Sequence, residues 1–397
     1  MKITYIHQHF KRPDQAGGTR SWEFARRLVS DGHAVTMICG GPERATYTEA
    51  GFTVVQLPVR YANAMAPWRR LVAFARFMQL ATTATYADRG DVVLASSTPL
   101  TVAVPALVST RLRRSAFVLE VRDLWPEAPV ALGYLRSRPV IGLALRLERT
   151  AYQRARRVIA LSPGMAAGVS RVVPGKRVDV VPNACDIELF DLSPADRATV
   201  REREGWGDDR VLVYAGSLGA IYDVPWLAGL ALAARRQGLR VVVVGDGSEL
   251  PAARARLRDS GIDPDEVFVG PRSKVEVAGL VAAADAVVSS VVDAPVLEPA
   301  SINKVFDGLA AARPVVFNHR GWLTDLVTDE GAGLYVGDVD ADTAVRQVLD
   351  LLTDDLRYRR AVDRARAVAS EHFARDTLYG TFRDVLTDAG EPTGARR

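Results

Sequence analysis

Apolar and polar positions along this chain alternate in two periods. Short apolar runs bounded by Gly, Pro, Asn or Asp predict buried strands: "KITYIH", "AVTMICG", "FTVVQLP", "DVVLASS", "AFVLEVRD", "RVIALS" and "VDVVPNA". Between them lie stretches with apolar residues at helical spacing: "SWEFARRLVSDG", "MAPWRRLVAFARFMQLATTATYA", "TVAVPALVSTRLR" and "RPVIGLALRLERTAYQRA". Strands this apolar, alternating with helices, predict a parallel sheet covered on both faces.

The polar stretch 191–209 predicts a connection with one short helix. The alternation then restarts with "RVLVYAGS", "RVVVVGDGS", "EVFVGP", "AVVSSV" and "RPVVFN", separated by helices near 225–236, 249–260, 274–283 and 303–312. Residues from about 340 to 388 predict mostly helix. The expected fold class is therefore α/β, with two doubly wound Rossmann-like domains, 1–192 and 193–371. Sheets of this kind take ligands at the carboxyl ends of their strands. Two such domains face to face would place both sets of strand ends in one cleft.

Composition narrows the possibilities. The chain has 397 residues, 48% hydrophobic and 25% charged, enough for two cores. Two cysteines, Cys39 and Cys185, fit a reducing compartment and exclude a cysteine-based zinc site or a disulfide framework. The start, "MKITYIHQHF", has no long apolar leader core, and no run of about 20 apolar residues predicts a spanning helix. A cytoplasmic protein is expected. Residues 1–190 carry 26 Lys and Arg against 14 Asp and Glu, a balance of +12 that leaves −8 for the remainder. The basic half points either to an anionic partner, such as a lipid surface, or to a solvated Arg-rich face. No recognition motif for nucleic acid accompanies it.

Polar chemistry clusters after the strands. Gly17-Gly18, in the first strand-to-helix connection, would let backbone N–H groups approach an anion, with Arg20 close behind; a plain turn is the other reading. "LEVRDLWPEAPVALG" places Arg122, Asp123, Trp125 and Glu127 just past a buried strand. Asn183 and Asp186 end another. Gly216 and Gly219, then Gly245 and Gly247, bracket loops of the second half. In "LEPASINKVFDGLAAARPVV", residues 297–316, a polar loop leads into a helix. The N–H groups of Ser301, Ile302 and Asn303, with Lys304, suit a pyrophosphate, and Asp307 suits a sugar diol. Capping by Ser301 is the structural alternative.

These segments resemble retaining glycosyltransferases of the GT-B fold, glycosyltransferase family 4, in the branch of cell-surface polysaccharide and O-antigen assembly. The resemblance spans nearly the whole chain and rests on "GGTR", "VRDLWPEAPVALG", "RVIALSPGM", "VPNACD", "YAGSLG", "VVGDGSE" and "INKVFDGLAAARPVV", in the family's order. It implies a nucleotide-sugar, with a uridine diphosphate leaving group expected, on the second domain. The acceptor would lie mostly on the first domain, and a last helix, about 372–397, would return to it. The family's ribose carboxylate falls on Asp307. Its other carboxylate falls on Pro299, with Glu298 one residue away. The Arg and Lys that often follow "YAGSLG" are replaced by "GAIYDV", so Lys304, with Arg20 or Arg272, is expected to supply the charge. Arg122-Asp123 occupies the region of the family's catalytic His.

The resemblance thus implies catalytic roles for Arg122, Asp123, Glu298 and Lys304. Donor contacts are expected from Gly17, Gly18, Gly216, Arg272, Ser301, Ile302, Asn303 and Asp307, and acceptor contacts from Arg20, Trp125 and Glu127. No metal or other cofactor is expected; the "DVD" at 338–340 lies away from the strand ends and reads as solvent-facing. The acceptor would be a carbohydrate, a lipid-linked molecule or a small molecule. Trp68, Arg69, Arg70, Phe74, Arg76 and Phe77 on one segment raise peripheral docking on anionic membranes. Two other readings share the architecture: a sugar-nucleotide 2-epimerase and a non-catalytic nucleotide-sugar-binding subunit.

Overall fold

A computed structural model describes residues 1–391 apart from residues 16, 62–64 and 66. Residues 392–397 of the expected last helix lie outside these, as do residues 62–64 and 66 just before Pro67. Eight strands form the first sheet: β1 Lys2–Ile6, β2 Ala34–Gly41, β3 Ala45–Glu49, β4 Phe52–Pro58, β5 Val92–Ser96, β6 Ala116–Val121, β7 Arg157–Ala160 and β8 Val178–Val180. Their order is β3-β4-β2-β1-β5-β6-β7-β8. Six more form the second: β9 Arg210–Ala215, β10 Leu239–Val244, β11 Phe268–Gly270, β12 Ala286–Ser289, β13 Val315–Phe317 and β14 Gly333–Tyr335, ordered β11-β10-β9-β12-β13-β14.

Every pairing is parallel except β3 with β4. The central strands are apolar on both faces because helices cover both. Ile6, Val93 and Leu119 face one core with Phe77 and Ala106. Ile3, Leu94 and Val118 face the other with Phe24 and Phe382. Two short strands were invisible to the apolar-run criterion. β3 is an edge strand, "ATYTE", with alternating exposure, and β14 is only three residues of intermediate burial.

The helix Arg375–Gly390 lies on the first sheet, not the second. It buries Leu378, Phe382 and Leu386 there, and the Tyr379 hydroxyl donates to Asp31, 2.6 Å away. The chain therefore crosses between domains twice, near residues 181–209 and again near 373–375. The crossings run side by side: Cys185 N–H donates to Phe373 C=O at 2.9 Å, Cys185 bridges to Ala374, and Arg375 pairs with Asp186.

Candidate active site

The carboxyl ends of both sheets meet at one cleft. On the first domain its floor is a closed network. Glu120, fully buried at the end of β6, accepts from Arg20 Nε at 2.9 Å and from the Ser96 hydroxyl at 2.5 Å. Burial alone would raise the Glu120 carboxyl, but Arg20, Arg122 and Ser96 outweigh it and hold it below the usual range. Arg20 also donates to the carbonyls of Val181 and Pro182. It is therefore withdrawn beneath the cleft, with its guanidinium committed to protein. This corrects the expectation that it meets acceptor or diphosphate.

Arg122 sits one layer higher. Its guanidinium donates to His7 Nε2 at 3.1 Å, which makes the other ring nitrogen the N–H that meets Ser21 Oγ at 2.8 Å. Burial, then Arg122 and His9, push His7 well below its usual pKa, so the ring is neutral. Asp123 opens into the cleft. It is solvent-accessible yet ringed by protein, and this desolvation pushes its carboxyl up to about 6 against the opposing pull of Arg122 and a Thr98 hydrogen bond. Trp125 is half-buried. Glu127 is exposed and pairs with Arg171 at 3.1 Å.

The second domain supplies the helix Asn303–Ala310. Its N-cap is Ile302 and no side chain caps it. Ser301 does not cap it: its hydroxyl is buried without a hydrogen-bond partner among the described residues. The opening N–H groups of this helix therefore remain a site for an anion. Asn303 holds the domains together, accepting from Asn183 Nδ2 at 2.8 Å. Gly18 reaches the same place, where a Cβ would come within 3.1 Å of Asn303 Nδ2. Gly17 lies beside the Lys11 side chain.

Lys304 is buried, 4% exposed, and no carboxylate among the described residues lies within ion-pair distance. Its ammonium stands 4.0 Å from the Tyr222 ring centre and 4.5 Å from that of Tyr214. Desolvation pushes its pKa down to about 7, with Asp307 opposing weakly. Gly216 lies beside it, where a Cβ would come within 3.1 Å of Lys304 Nζ and press on the ammonium. Asp307 faces elsewhere and pairs with Lys274 at 2.6 Å. Arg272 is half-buried on the loop before Lys274, bonded only to the Pro271 carbonyl at 3.2 Å among its described contacts.

Glu298 is exposed, and its backbone carbonyl, not its carboxylate, takes part in the described contacts. Pro299, in the neighbouring slot, packs on the first domain at Gly164. The structure thus brings together Lys304, Gly216, Asn303 and the Gly17-Gly18 loop, with Arg122 and Asp123 opposite, and leaves Arg20, Glu127 and Glu298 apart from them. Sequence reasoning missed Tyr222, Tyr214, Lys274 and His7. Lys274 opens the helix Lys274–Ala283 just after the loop that carries Arg272, and Tyr222 stands in "GAIYDV", the segment noted only for its missing cations. At 338–340, Asp338 pairs with Arg320 and Asp340 caps the next helix, accepting from Thr343 N–H at 2.8 Å.

Residues 16–184 match the family described as glycosyl transferase 4-like domain, and residues 209–354 match glycosyl transferases group 1. A curated relative, 2-deoxystreptamine N-acetyl-D-glucosaminyltransferase of Streptomyces fradiae, is 26% identical over 262 residues, 64% of this chain. The chain spans only 60% of that relative's length. Among solved structures, sucrose-phosphate synthase of Thermosynechococcus elongatus superposes with a TM-score of 0.76 at 17% identity, covering 98% of each chain. HepE of Anabaena, solved with UDP and glucose, gives 0.71 at 19% identity, covering 98% of this chain and all of that one. These neighbours share the two-domain GT-B fold. With its two halves matched in order to the two glycosyltransferase domains, the chain belongs to glycosyltransferase family 4 of the GT-B fold.

Proposed function

We propose that this chain moves a glycosyl group from a nucleotide-sugar, with UDP leaving, to a hydroxyl of a carbohydrate or lipid-linked acceptor, retaining the anomeric configuration. The observation that carries this reading is Lys304: a buried ammonium with no carboxylate within ion-pair distance among the described residues, beside an uncapped helix start. Isolated buried charge is costly, and a diphosphate compensates it. In the reaction the bond from the sugar C1 to the β-phosphate oxygen breaks. The acceptor oxygen bonds C1 from the same face, and its proton passes to the departing phosphate. Lys304 and the helix N–H groups stabilise the charge that develops on that phosphate. Asp307, beside Lys274, takes the ribose diol, and Asp123 orients a sugar hydroxyl from the opposite wall. The similarity to an N-acetyl-D-glucosaminyltransferase and the UDP bound in HepE support the donor class.

The test is a screen of nucleotide-sugars for thermal stabilisation. A ligand at 100 times its Kd adds about 2.7 kcal/mol. If no nucleoside diphosphate sugar shifts the melting curve, the reading fails. A bound sugar nucleotide that is converted to its C2 epimer without any acceptor would favour an epimerase instead. Binding with no turnover in any acceptor mixture would favour a binding subunit.

The acceptor is drawn from a membrane surface in this reading. No helix among the described residues is long and apolar enough to cross a membrane. Three neighbouring helices, Pro67–Asp88, Ala103–Arg113 and Arg138–Arg154, cover one face of the first sheet. Of fourteen large apolar side chains exposed among the described residues, eleven lie between residues 68 and 145, including Trp68, Leu71, Leu112 and Leu143. Arg69, Arg76, Arg111 and Arg146 are exposed among them, whereas Phe77 is core. Each basic residue near an anionic surface contributes about 1 kcal/mol. Co-sedimentation with phosphatidylglycerol vesicles but not neutral ones, lost at high salt, is expected. Equal binding to both, or to neither, would leave a soluble acceptor.

A further inference from the structure

On the nucleotide reading above, the Lys304 nitrogen has to be held where a diphosphate meets it, and charged once it does. Its neighbours are unusual for a cation. Tyr222 and Tyr214 form two walls, their ring centres 6.4 Å apart and their planes at 76°. The ammonium faces both rings, at 4.0 and 4.5 Å, with the Gly216 backbone beside it. Both walls are fixed. The Tyr214 hydroxyl donates to the Ser217 carbonyl at 2.6 Å. The Tyr222 N–H donates to Gly219 C=O at 2.9 Å, and Val292 N–H reaches Ile221 C=O at 3.1 Å, tying the loop to the segment after the neighbouring strand β12. Asp307, one turn along the helix, cannot neutralise Lys304 because its carboxylate meets Lys274 at 2.6 Å.

An aromatic face attracts a cation through its quadrupole, more strongly when water is excluded, yet less than a carboxylate would. A carboxylate here would cancel the charge and repel the donor. Two rings orient the ammonium and leave its charge available. We propose that Tyr222, together with Tyr214, is a positioning residue: an aromatic cradle that aims the Lys304 ammonium at the donor's diphosphate. The titratable groups facing Lys304 are Tyr214, Tyr222, His319 and Asp307. His319 is neutral, pushed down to about 4 by burial and by Lys304 itself, with the Arg320 carbonyl opposing. Tyr222 is pushed up to about 12 by burial and then by Asp123 across the cleft, so it stays neutral too. Near and above neutral pH the lysine is then the group that changes charge when a diphosphate binds.

The experiment is titration calorimetry of UDP into the full chain at pH 8, in buffers of different ionisation enthalpy. The second phosphate pKa is near 6, so UDP arrives ionised and any proton taken up belongs to the protein. Wild type is expected to take up most of one proton on binding UDP. Tyr222→Leu should bind UDP about tenfold more weakly. Tyr222→Phe, which keeps the ring, should restore most of the affinity and the same proton uptake. Equal or tighter binding by Tyr222→Leu would overturn the cradle, because the ring would then be idle or sequestering the lysine. Loss of affinity in Tyr222→Phe would overturn it too, since the hydroxyl and not the ring would be at work. No UDP binding by wild type would remove the nucleotide reading itself, an outcome distinct from binding that ignores Tyr222.

Discussion

Each domain buries a cation beside the cleft, and the two are treated in opposite ways. Arg20 in the first domain has a carboxylate, Glu120, at 2.9 Å and a backbone carbonyl for each of Nη1 and Nη2. Lys304 in the second has two aromatic rings and no carboxylate within reach among the described residues. The first cation is scaffold, since its charge is answered within the fold. The second is not answered by a carboxylate among the described residues, and in the proposed reading a diphosphate answers it. Burial alone does not mark a functional charge; the balance of its surroundings does.

Breaking the scaffold pair should give the largest effect. Glu120→Leu leaves Arg20 buried and uncompensated, and should destabilise the protein by about 3–5 kcal/mol in urea unfolding. A loss below about 1 kcal/mol would mean that Arg20 is not held as described. Lys304→Met should do the reverse: little loss of stability, but turnover of the donor lower by roughly 10²–10³-fold. Steady-state rates on whichever nucleotide-sugar the screen identifies will decide this. Retained turnover would move the neutralising charge to Arg272 or Lys274.

Asp307→Ala should weaken UDP and donor alike by about 1.5–3 kcal/mol, read by calorimetry on folded protein. The structure adds a control, because this change also frees Lys274. If Lys274→Met weakens UDP as much as Asp307→Ala does, the pair acts as one unit. The smallest effect concerns pH. The folded pKa of Lys304, about 7, lies below its unfolded value, so the unfolded chain binds more protons in the window between them. Stability from this group should therefore rise with pH above 7, by about 1 kcal/mol from pH 7 to 8. Lys304→Met should lack that rise. An identical pH slope in both proteins would show that the lysine is charged throughout.

The contrast between the two cations was only half legible in the sequence. Apolar runs revealed both sheets, because strands buried on two faces have few polar residues. They failed at β3 and β14, whose half-exposed residues carry no such signal. Lys304 and Asn303 could be placed from their position at a helix start after a strand. Arg20 was misjudged for a physical reason: its partner Glu120 lies 100 residues away, inside what reads as an apolar strand. Local spacing cannot reveal a pairing made by sheet order. Tyr222 was overlooked because a tyrosine in a loop has no charge to draw notice, and its value comes from a lysine 82 positions later. Glu298 was favoured by proximity in sequence to the slot that Pro299 fills. One residue of displacement turned its carboxylate to solvent.

The paired crossings at Cys185 and Phe373 bear on how this molecule can move. Two chain segments pass from one lobe to the other within hydrogen-bonding distance of each other. Links that close together act as a single pin: they oppose sliding and shear, and leave rotation about one line as the soft coordinate. Opening and shutting then have one degree of freedom, and the far rims of the lobes travel most while Asn183 and Asn303 near the pin barely part. Arg375→Ala keeps both segments and their core residues but removes the pairing to Asp186 across the pin. Small-angle scattering of that variant should show a broader spread of dimensions than the wild-type chain.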